Sequence, residues 1–98
     1  MIFISTGGFS SKTASETAVD LFEHGIHNVE LSGGAYSSTY ETDLLALRKD
    51  LVFQVHNYFP PPEQPFVFNL ASSDPEVTER STQQVREAMR LAVALGRP

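Results

Sequence analysis

The sequence predicts an α/β fold with parallel strands, and two regularities carry that prediction. Short β-rich runs alternate with stretches of helical apolar spacing, in the order β-α-β-α-β-α with a repeat of roughly 25 residues. A polar turn containing glycine or proline separates each run from the helix that follows it. Strands that alternate with helices in this way pair in parallel through right-handed crossovers.

Each predicted element has its own local signal. The strand runs are residues 2–4, 28–31 and 51–55. The first two helices follow the apolar or small positions Ala14, Ala18, Leu21, Phe22 and Gly25, and then Leu44, Leu45 and Leu47. The third helix has the clearest stripe, formed by Val77, Val85, Ala88, Met89, Ala92 and Leu95.

Each helix is predicted to begin with a capping box, which is a Ser or Thr followed three residues later by Glu. The pairs are Thr13 with Glu16, Ser38 with Glu41, and Ser73 with Glu76. Asp74 is a second candidate cap, because the Pro75 that follows it suits the first helical position. Gly25 and Gly96 fall where helices end, since glycine accepts the left-handed conformation there.

The composition excludes several classes of protein. The chain has 98 residues, 41% hydrophobic and 19% charged, which are ordinary values for one small folded domain. It has no cysteine, so disulfides and thiolate metal sites are excluded. A net charge of −5 makes nucleic acid a poor partner. Because we find neither a signal sequence nor a window of about 20 apolar residues, we expect a cytoplasmic protein with no membrane partner.

Side-chain parity predicts one polar face on the sheet. In the third strand Leu51, Phe53 and Val55 share an apolar face, which is suited to packing under helices. Polar residues collect on the opposite, uncovered face, and they are Ser5, Glu30, Ser32, Gln54 and His56. The two turns "TGGFSS" and "SGGAYSS" flank this face and have two interpretations, as ordinary glycine and serine turns or as a backbone nest for an anion.

Three motifs resemble one known family. The stretch "VHNYF" at the third strand end is followed by "FNLASSDPEVTERS" and by a helix that ends in "AVALG". Together they resemble the N-terminal part of the xylose isomerase-like TIM barrels, which are the sugar phosphate isomerases and epimerases and the related apurinic endonuclease IV family. The resemblance implies that residues 1–98 are three consecutive βα units of a (β/α)8 barrel.

The resemblance also implies a cofactor and a substrate class. The cofactor would be a divalent metal ion, Zn, Mn, Mg or Co, at the carboxyl ends of the strands, and the substrate a sugar or sugar phosphate. His56 lies where the endonuclease branch places a metal-binding histidine. In the isomerase branch the metal ligands lie mostly on later strands, and His56 would contact substrate instead.

A full barrel takes about 250 residues, so we expect this chain to be an N-terminal segment of a longer protein. The catalytic base and most metal ligands are then expected beyond residue 98, and the segment alone is expected to be inactive. Its uncovered sheet edges predict self-association. Two alternatives to the isomerase or epimerase remain open, namely an endonuclease IV-like metal-dependent phosphodiesterase and a non-catalytic barrel used for binding or assembly.

Four candidate site residues follow, and three of them have a structural alternative. His56 either acts in the site or is a hydrogen-bonded structural residue. Glu30 is the only carboxylate whose parity sends it to the polar face, so it is a candidate to bind a sugar hydroxyl or to support a metal ligand; a structural hydrogen bond is the alternative. Asn57 and Tyr58 are candidates to contact substrate, and the alternative for Tyr58 is packing on prolines 60–62.

The loop after His56 contains three consecutive prolines and runs for about 18 residues, a length typical of functional loops. Proline restricts both itself and the residue before it, which makes the loop stiff. We expect Phe59, Phe66 and Phe68 to form an apolar wall over the mouth, with His56 at the floor of the pocket. The other two histidines, His24 and His27, are interpreted as structural.

Overall fold

The computed structural model describes residues 2–9 and 11–96. Within these ranges strands and helices alternate, and they are β1 (Ile4–Ser5), α1 (Ala14–Glu23), β2 (Asn28–Leu31), α2 (Tyr40–Leu47), β3 (Val52–Val55) and α3 (Pro75–Leu95). Ser10 of the first glycine turn lies outside the described residues, as do Arg97 and Pro98. None of the described helices is both long and apolar enough to cross a membrane.

The strands form one parallel sheet in the order β1-β2-β3. Ser5, Glu30 and Gln54 lie abreast in the register, and Leu31 lies opposite Val55. The predicted α/β class, the parallel pairing and the sequence of βα units are confirmed.

β1 lies later in the chain than predicted, at Ile4–Ser5 rather than at residues 2–4. Ser5 is polar, yet it pairs with Glu30, and the N–H of Thr6 then donates to the Glu30 carbonyl at 3.0 Å. The hydrogen bonds of a β-ladder come from backbone groups, so a strand residue need not have an apolar side chain. The position of β1 is therefore decided by its pairing with β2.

α1 begins and ends as predicted. The Thr13 hydroxyl accepts from the Glu16 N–H at 3.3 Å, and the Glu16 carboxylate accepts from the Thr13 N–H at 2.9 Å, which completes the capping box. Gly25 follows the helix with φ of 84°, the left-handed conformation expected of it.

The predicted cap of α2 is wrong. The helix begins after Thr39 rather than Ser38, and no side chain caps it. The Thr39 hydroxyl donates to the Asp43 carboxylate at 2.8 Å instead of accepting from the backbone. Glu41, expected to complete a capping box, turns to the guanidinium of Arg90 on α3. At the start of α2, an ion pair between two helices thus takes the place of the predicted capping box.

α3 begins at the second of its two cap candidates. The Asp74 carboxylate accepts from the Glu76 N–H at 3.0 Å with Pro75 in the first turn, so the predicted Ser73 capping box is wrong. At the other end Gly96 has φ of −63° and extended backbone, so the left-handed conformation expected there is also wrong.

The helices pack on the sheet face that carries Val29 and Leu31, and both side chains are fully buried. The rest of the core comes from the helices and the segments that flank β3, and it consists of Ala14, Ala18, Leu44, Leu51, Phe59, Leu91 and Leu95. The opposite sheet face is more open, since Ser5 and Gln54 are exposed there. The predicted division into an apolar and a polar face is confirmed.

The buried stripe of α3 is rotated from the predicted one. Ala88 and Leu95 are buried as expected, but Met89 is 65% exposed and Ala92 is exposed, while Leu91 is fully buried. The apolar spacing of this helix fits more than one face. Packing against both β3 and α2 selects the face that includes Leu91.

A polar network joins α2 to α3. The Tyr40 hydroxyl donates to the Glu87 carboxylate, and Arg90 pairs at 2.7 Å with the carboxylates of both Glu41 and Glu87. Hydrogen bonds from Arg90 lower the pKa of Glu87. Burial, and then the hydrogen bond to Glu87, raise the pKa of Tyr40 to about 12.

The Tyr40 phenol predicts an alkaline loss of stability. Its ordinary pKa of 10.0 rises to about 12 in the fold, so between these values the native chain holds a proton that the unfolded chain releases. This contribution to the free energy of unfolding is therefore present below pH 10 and is lost as the pH rises towards 12. We expect urea midpoints to fall over this range and to fall less steeply in Tyr40→Phe. Tyr36→Phe is the control, and an equal fall in both variants contradicts the prediction.

Both flanks of the described layer expose apolar side chains. On α3 Met89 and Val93 are 65% and 82% exposed, and beside β1 Ile2 is 80% exposed. β1 and β3 are the outer strands of the described sheet, so the backbone groups on their outer edges have no strand partner within it.

We expect the 98-residue chain to self-associate through these edges and flanks. Met89→Glu combined with Val93→Glu places charge in the α3 flank, and it should shift the sedimentation equilibrium towards monomer. Thr42→Glu combined with Ala46→Glu makes the same change, with the same spacing, at exposed positions of α2 and should have no effect. A wild-type chain that stays monomeric at high micromolar concentration contradicts the expectation.

Candidate functional site

The open sheet face gathers polar side chains near the carboxyl ends of the strands. Ser5, Glu30 and Gln54 form one row across β1, β2 and β3. Glu30 is half-buried, and its carboxylate accepts no hydrogen bond from any residue in the described ranges. A structural hydrogen bond, the alternative role for Glu30, is thus absent from the described part of the chain. The carboxylate keeps its capacity to accept from a ligand.

The carboxyl ends of β1 and β2 are fastened together by one residue. The Thr6 hydroxyl donates to the Ser32 carbonyl at 2.7 Å and accepts from the Ser32 N–H at 3.0 Å. Thr6 is fully buried, so this reciprocal pair satisfies polar groups that water does not reach. Thr6 therefore joins the starts of the two glycine turns at the carboxyl ends of β1 and β2.

The two glycine turns pack closely on their surroundings. A Cβ on Gly7 would lie 3.3 Å from the Ser32 hydroxyl, and one on Gly34 would lie 3.1 Å from the Lys12 carbonyl oxygen. Gly34 also has φ of 96°, and the Ala35 N–H donates to that same Lys12 carbonyl at 2.8 Å. Serine hydroxyls crowd Gly7, and close approach of backbone explains Gly34, in agreement with their interpretation as turn residues.

His56 continues the β2-β3 ladder and leaves its ring exposed. Its N–H donates to the Leu31 carbonyl at 3.0 Å, and its own carbonyl accepts from the Phe59 N–H at 3.0 Å. The ring Nδ1 accepts from the Tyr58 N–H at 3.4 Å. In a neutral imidazole one nitrogen accepts and the other carries the proton, so this contact favours a hydrogen on Nε2.

The tautomer that this contact favours has consequences for the two candidate roles of His56. An Nε2–H donor suits a hydroxyl or carbonyl oxygen of a substrate. A metal ion at Nε2 would require Nδ1 to carry the proton, because metal-bound histidines donate through their other nitrogen. Metal binding through Nε2 would therefore cost the contact with Tyr58, and both substrate contact and metal ligation by His56 stay predictions.

Tyr58 packs on phenylalanines of its own loop. Its ring centroid lies 5.8 Å from that of Phe66 and 5.5 Å from that of Phe68, and its hydroxyl donates to the Phe66 carbonyl at 2.9 Å. These contacts do not bear on the alternative of packing on prolines 60–62, which stays a prediction. Asn57 is exposed at the loop entrance. Substrate contact by Asn57 and Tyr58 remains a prediction.

The predicted apolar wall is wrong in one member. Phe59 has no exposed surface and belongs to the core cluster under the helices, so it does not form an exposed wall with Phe66 and Phe68. Phe66 and Phe68 are half-buried against Tyr58, away from that core. Phe59 serves instead as the apolar anchor by which the proline loop is held to the domain.

Polar residues of α3 fasten the rest of the loop. The Gln84 amide donates to the carbonyls of Tyr58 and Pro60, and the Ser81 hydroxyl accepts from the Asn69 N–H at 2.9 Å. Gln84 and Ser81 are buried, and sequence reasoning did not assign them this role. The available signal is their spacing, since both polar residues fall on the buried stripe of an amphipathic helix.

The remaining histidines have structural contacts. The His24 Nδ1 lies 2.7 Å from the Asp20 carbonyl oxygen at the end of α1. The His27 ring lies 5.2 Å from the Phe22 ring before β2 begins. Both contacts agree with the structural interpretation of these residues.

The described residues do not complete a metal site by themselves. Across residues 2–9 and 11–96, no group of three or more His, Cys, Asp or Glu side chains is placed to hold a metal ion. Glu30 and His56 alone fall short of the four or more ligands that Zn, Mg, Mn or Co ions take in proteins. Metal ligation by His56 remains a prediction.

No protein-family model, curated protein or solved structure matches the chain. The resemblance to xylose isomerase-like barrels, drawn from the motifs of residues 55–96, stays a prediction.

His56 and His24 are expected to hold opposite tautomers. A carbonyl can only accept, so the Asp20 contact requires a hydrogen on Nδ1 of His24, whereas the Tyr58 contact favours one on Nε2 of His56. Long-range proton–nitrogen correlation spectra at alkaline pH, where imidazoles are neutral, distinguish the two forms. Finding His56 in the Nδ1–H form contradicts the role derived for it.

Proposed function

We propose that this chain forms the first βα units of a xylose isomerase-like barrel that binds and isomerises or epimerises a sugar or sugar phosphate. The observation that carries the proposal is the chemistry of the open sheet face. Among the described residues it presents a partner-free carboxylate, Glu30, and beyond the strand end an exposed imidazole, His56, which favours donation through Nε2. A sugar hydroxyl can donate to the carboxylate, and a sugar oxygen can accept from the imidazole.

In the proposed site each residue has a distinct role. Glu30 accepts from a substrate hydroxyl, and His56 donates through Nε2 to a neighbouring substrate oxygen. Ser5 and Gln54, in the same row as Glu30, add neutral hydrogen-bonding groups. The two glycine turns, joined by the Thr6–Ser32 pair, border the site at the carboxyl ends of β1 and β2.

A divalent metal ion, when bound in an enzyme of this kind, polarises a substrate oxygen. His56 and Glu30 are the described residues that would adjoin it, and further ligands are expected on later strands. The residue that moves the proton between carbons is also expected there. This chain therefore contributes binding and orientation rather than the proton transfer.

The same face favours a sugar over a phosphodiester backbone. Its row of described residues contains a carboxylate and no lysine or arginine, and the whole chain has a net charge of −5. Binding of a polyanion depends on cationic contacts, which this face does not offer. The endonuclease-like alternative is accordingly the weaker one.

The test is a titration of the nitrogen-15-labelled chain with glucose, fructose and their 6-phosphates, followed by amide chemical shifts. We expect saturable shifts at residue 30 and residues 54–57. His56→Ala and Glu30→Gln should each weaken binding by about tenfold, the effect of losing one hydrogen bond that includes a charged or strongly polar group. His27→Ala is the matched control, because His27 is also an exposed histidine but lies before the amino end of β2, away from the proposed site.

Thermal unfolding of the variants separates binding from folding. Glu30→Gln should alter binding while leaving the melting temperature close to that of the wild type. Shifts that do not depend on Glu30 or His56 contradict the proposal. Binding of an abasic oligonucleotide in place of the sugars would favour the endonuclease-like alternative.

A further inference from the structure

A cleft lies between the proline loop and α3. Its lining residues are Pro62, Phe66, Arg80, Gln83 and Gln84. Two apolar walls thus face a guanidinium and two amides. None of these residues belongs to the strand-end row, and the proposed function does not use the cleft.

Arg80 is held in place without its charge being neutralised. Its guanidinium donates to the Gln64 carbonyl at 2.7 Å and lies 4.3 Å from the centroid of the Phe66 ring. No carboxylate in the described part of the chain forms an ion pair with it, whereas Arg90 on the same helix pairs with two. A guanidinium has five N–H donors, so most of those on Arg80 remain available to a ligand.

The glutamines add complementary groups. Both amide hydrogens of Gln84 are used on the carbonyls of Tyr58 and Pro60, which fixes this buried side chain and leaves its oxygen as an acceptor. Gln83 is exposed, and its amide makes no hydrogen bond within the described ranges. The cleft therefore offers a fixed cation, a free amide and a fixed acceptor.

We propose that this cleft binds the phosphate group of a small hydroxylated phosphate ester. A carboxylate has only two oxygens, so Arg80 in a bidentate contact and the Gln83 amide would have to share one of them. A phosphate can accept from Arg80 through two oxygens and from the Gln83 amide through a third. The Gln84 oxygen is then the acceptor for a neighbouring hydroxyl.

The experiment is a titration of the nitrogen-15-labelled chain with inorganic phosphate and, separately, with acetate. We expect saturable shifts with phosphate at the amides of residues 66, 80, 83 and 84. Arg80→Gln should weaken this binding by about tenfold or more, the loss expected for a charge-assisted contact. Arg86→Gln removes the same charge from an exposed position on α3 and should leave the affinity unchanged.

Arg80→Lys and Gln83→Ala guard against a folding defect in Arg80→Gln. The lysine keeps the charge but loses the planar fork, and Gln83 makes no hydrogen bond within the described chain that its removal would break. Both should weaken phosphate binding while far-ultraviolet circular dichroism stays unchanged. Acetate that binds as tightly as phosphate, equal effects of Arg80→Gln and Arg86→Gln, or no saturable shift each overturn the proposal. The sugar titration reports on different amides, so the two proposals fail separately.

Discussion

The alternation of β2 between its two faces is the constraint on which the rest of the structure depends. Val29 and Leu31 are fully buried under the helices, and the strand between β1 and β3 has no freedom to slip. A shift of one residue would exchange the faces and bury the Glu30 carboxylate in the core, at the large free-energy cost of an unpaired buried charge. Core packing on one side therefore holds the polar row in position on the other.

Local signals explain which features are predictable from the sequence. Parity alone places Glu30 and Gln54 on the open face, because a strand has a side-chain period of two. The Thr13 capping box also needs only neighbouring residues. The features that the sequence does not reveal depend on distant contacts. Phe59 enters a core supplied by three helices, and the tautomer that His56 favours depends on the turn made by the backbone after it.

α2 and α3 show the same competition between local and distant interactions. A capping box at the start of α2 is a sound expectation by sequence, but Glu41 gains an ion pair with Arg90 that a local cap does not provide. The apolar residues of α3 are numerous enough to fit more than one face, and packing against α2 and β3 decides between them. Where a sequence pattern is degenerate, the tertiary contact selects the outcome.

The exposed apolar residues of α3 have a consequence for the life of this chain in a cell. Met89 and Val93 stay exposed in the folded state, so folding alone does not hide them from the chaperones and proteases that survey apolar surface. If another surface covers this flank, the abundance of the chain would depend on how soon that contact forms as well as on the free energy of unfolding.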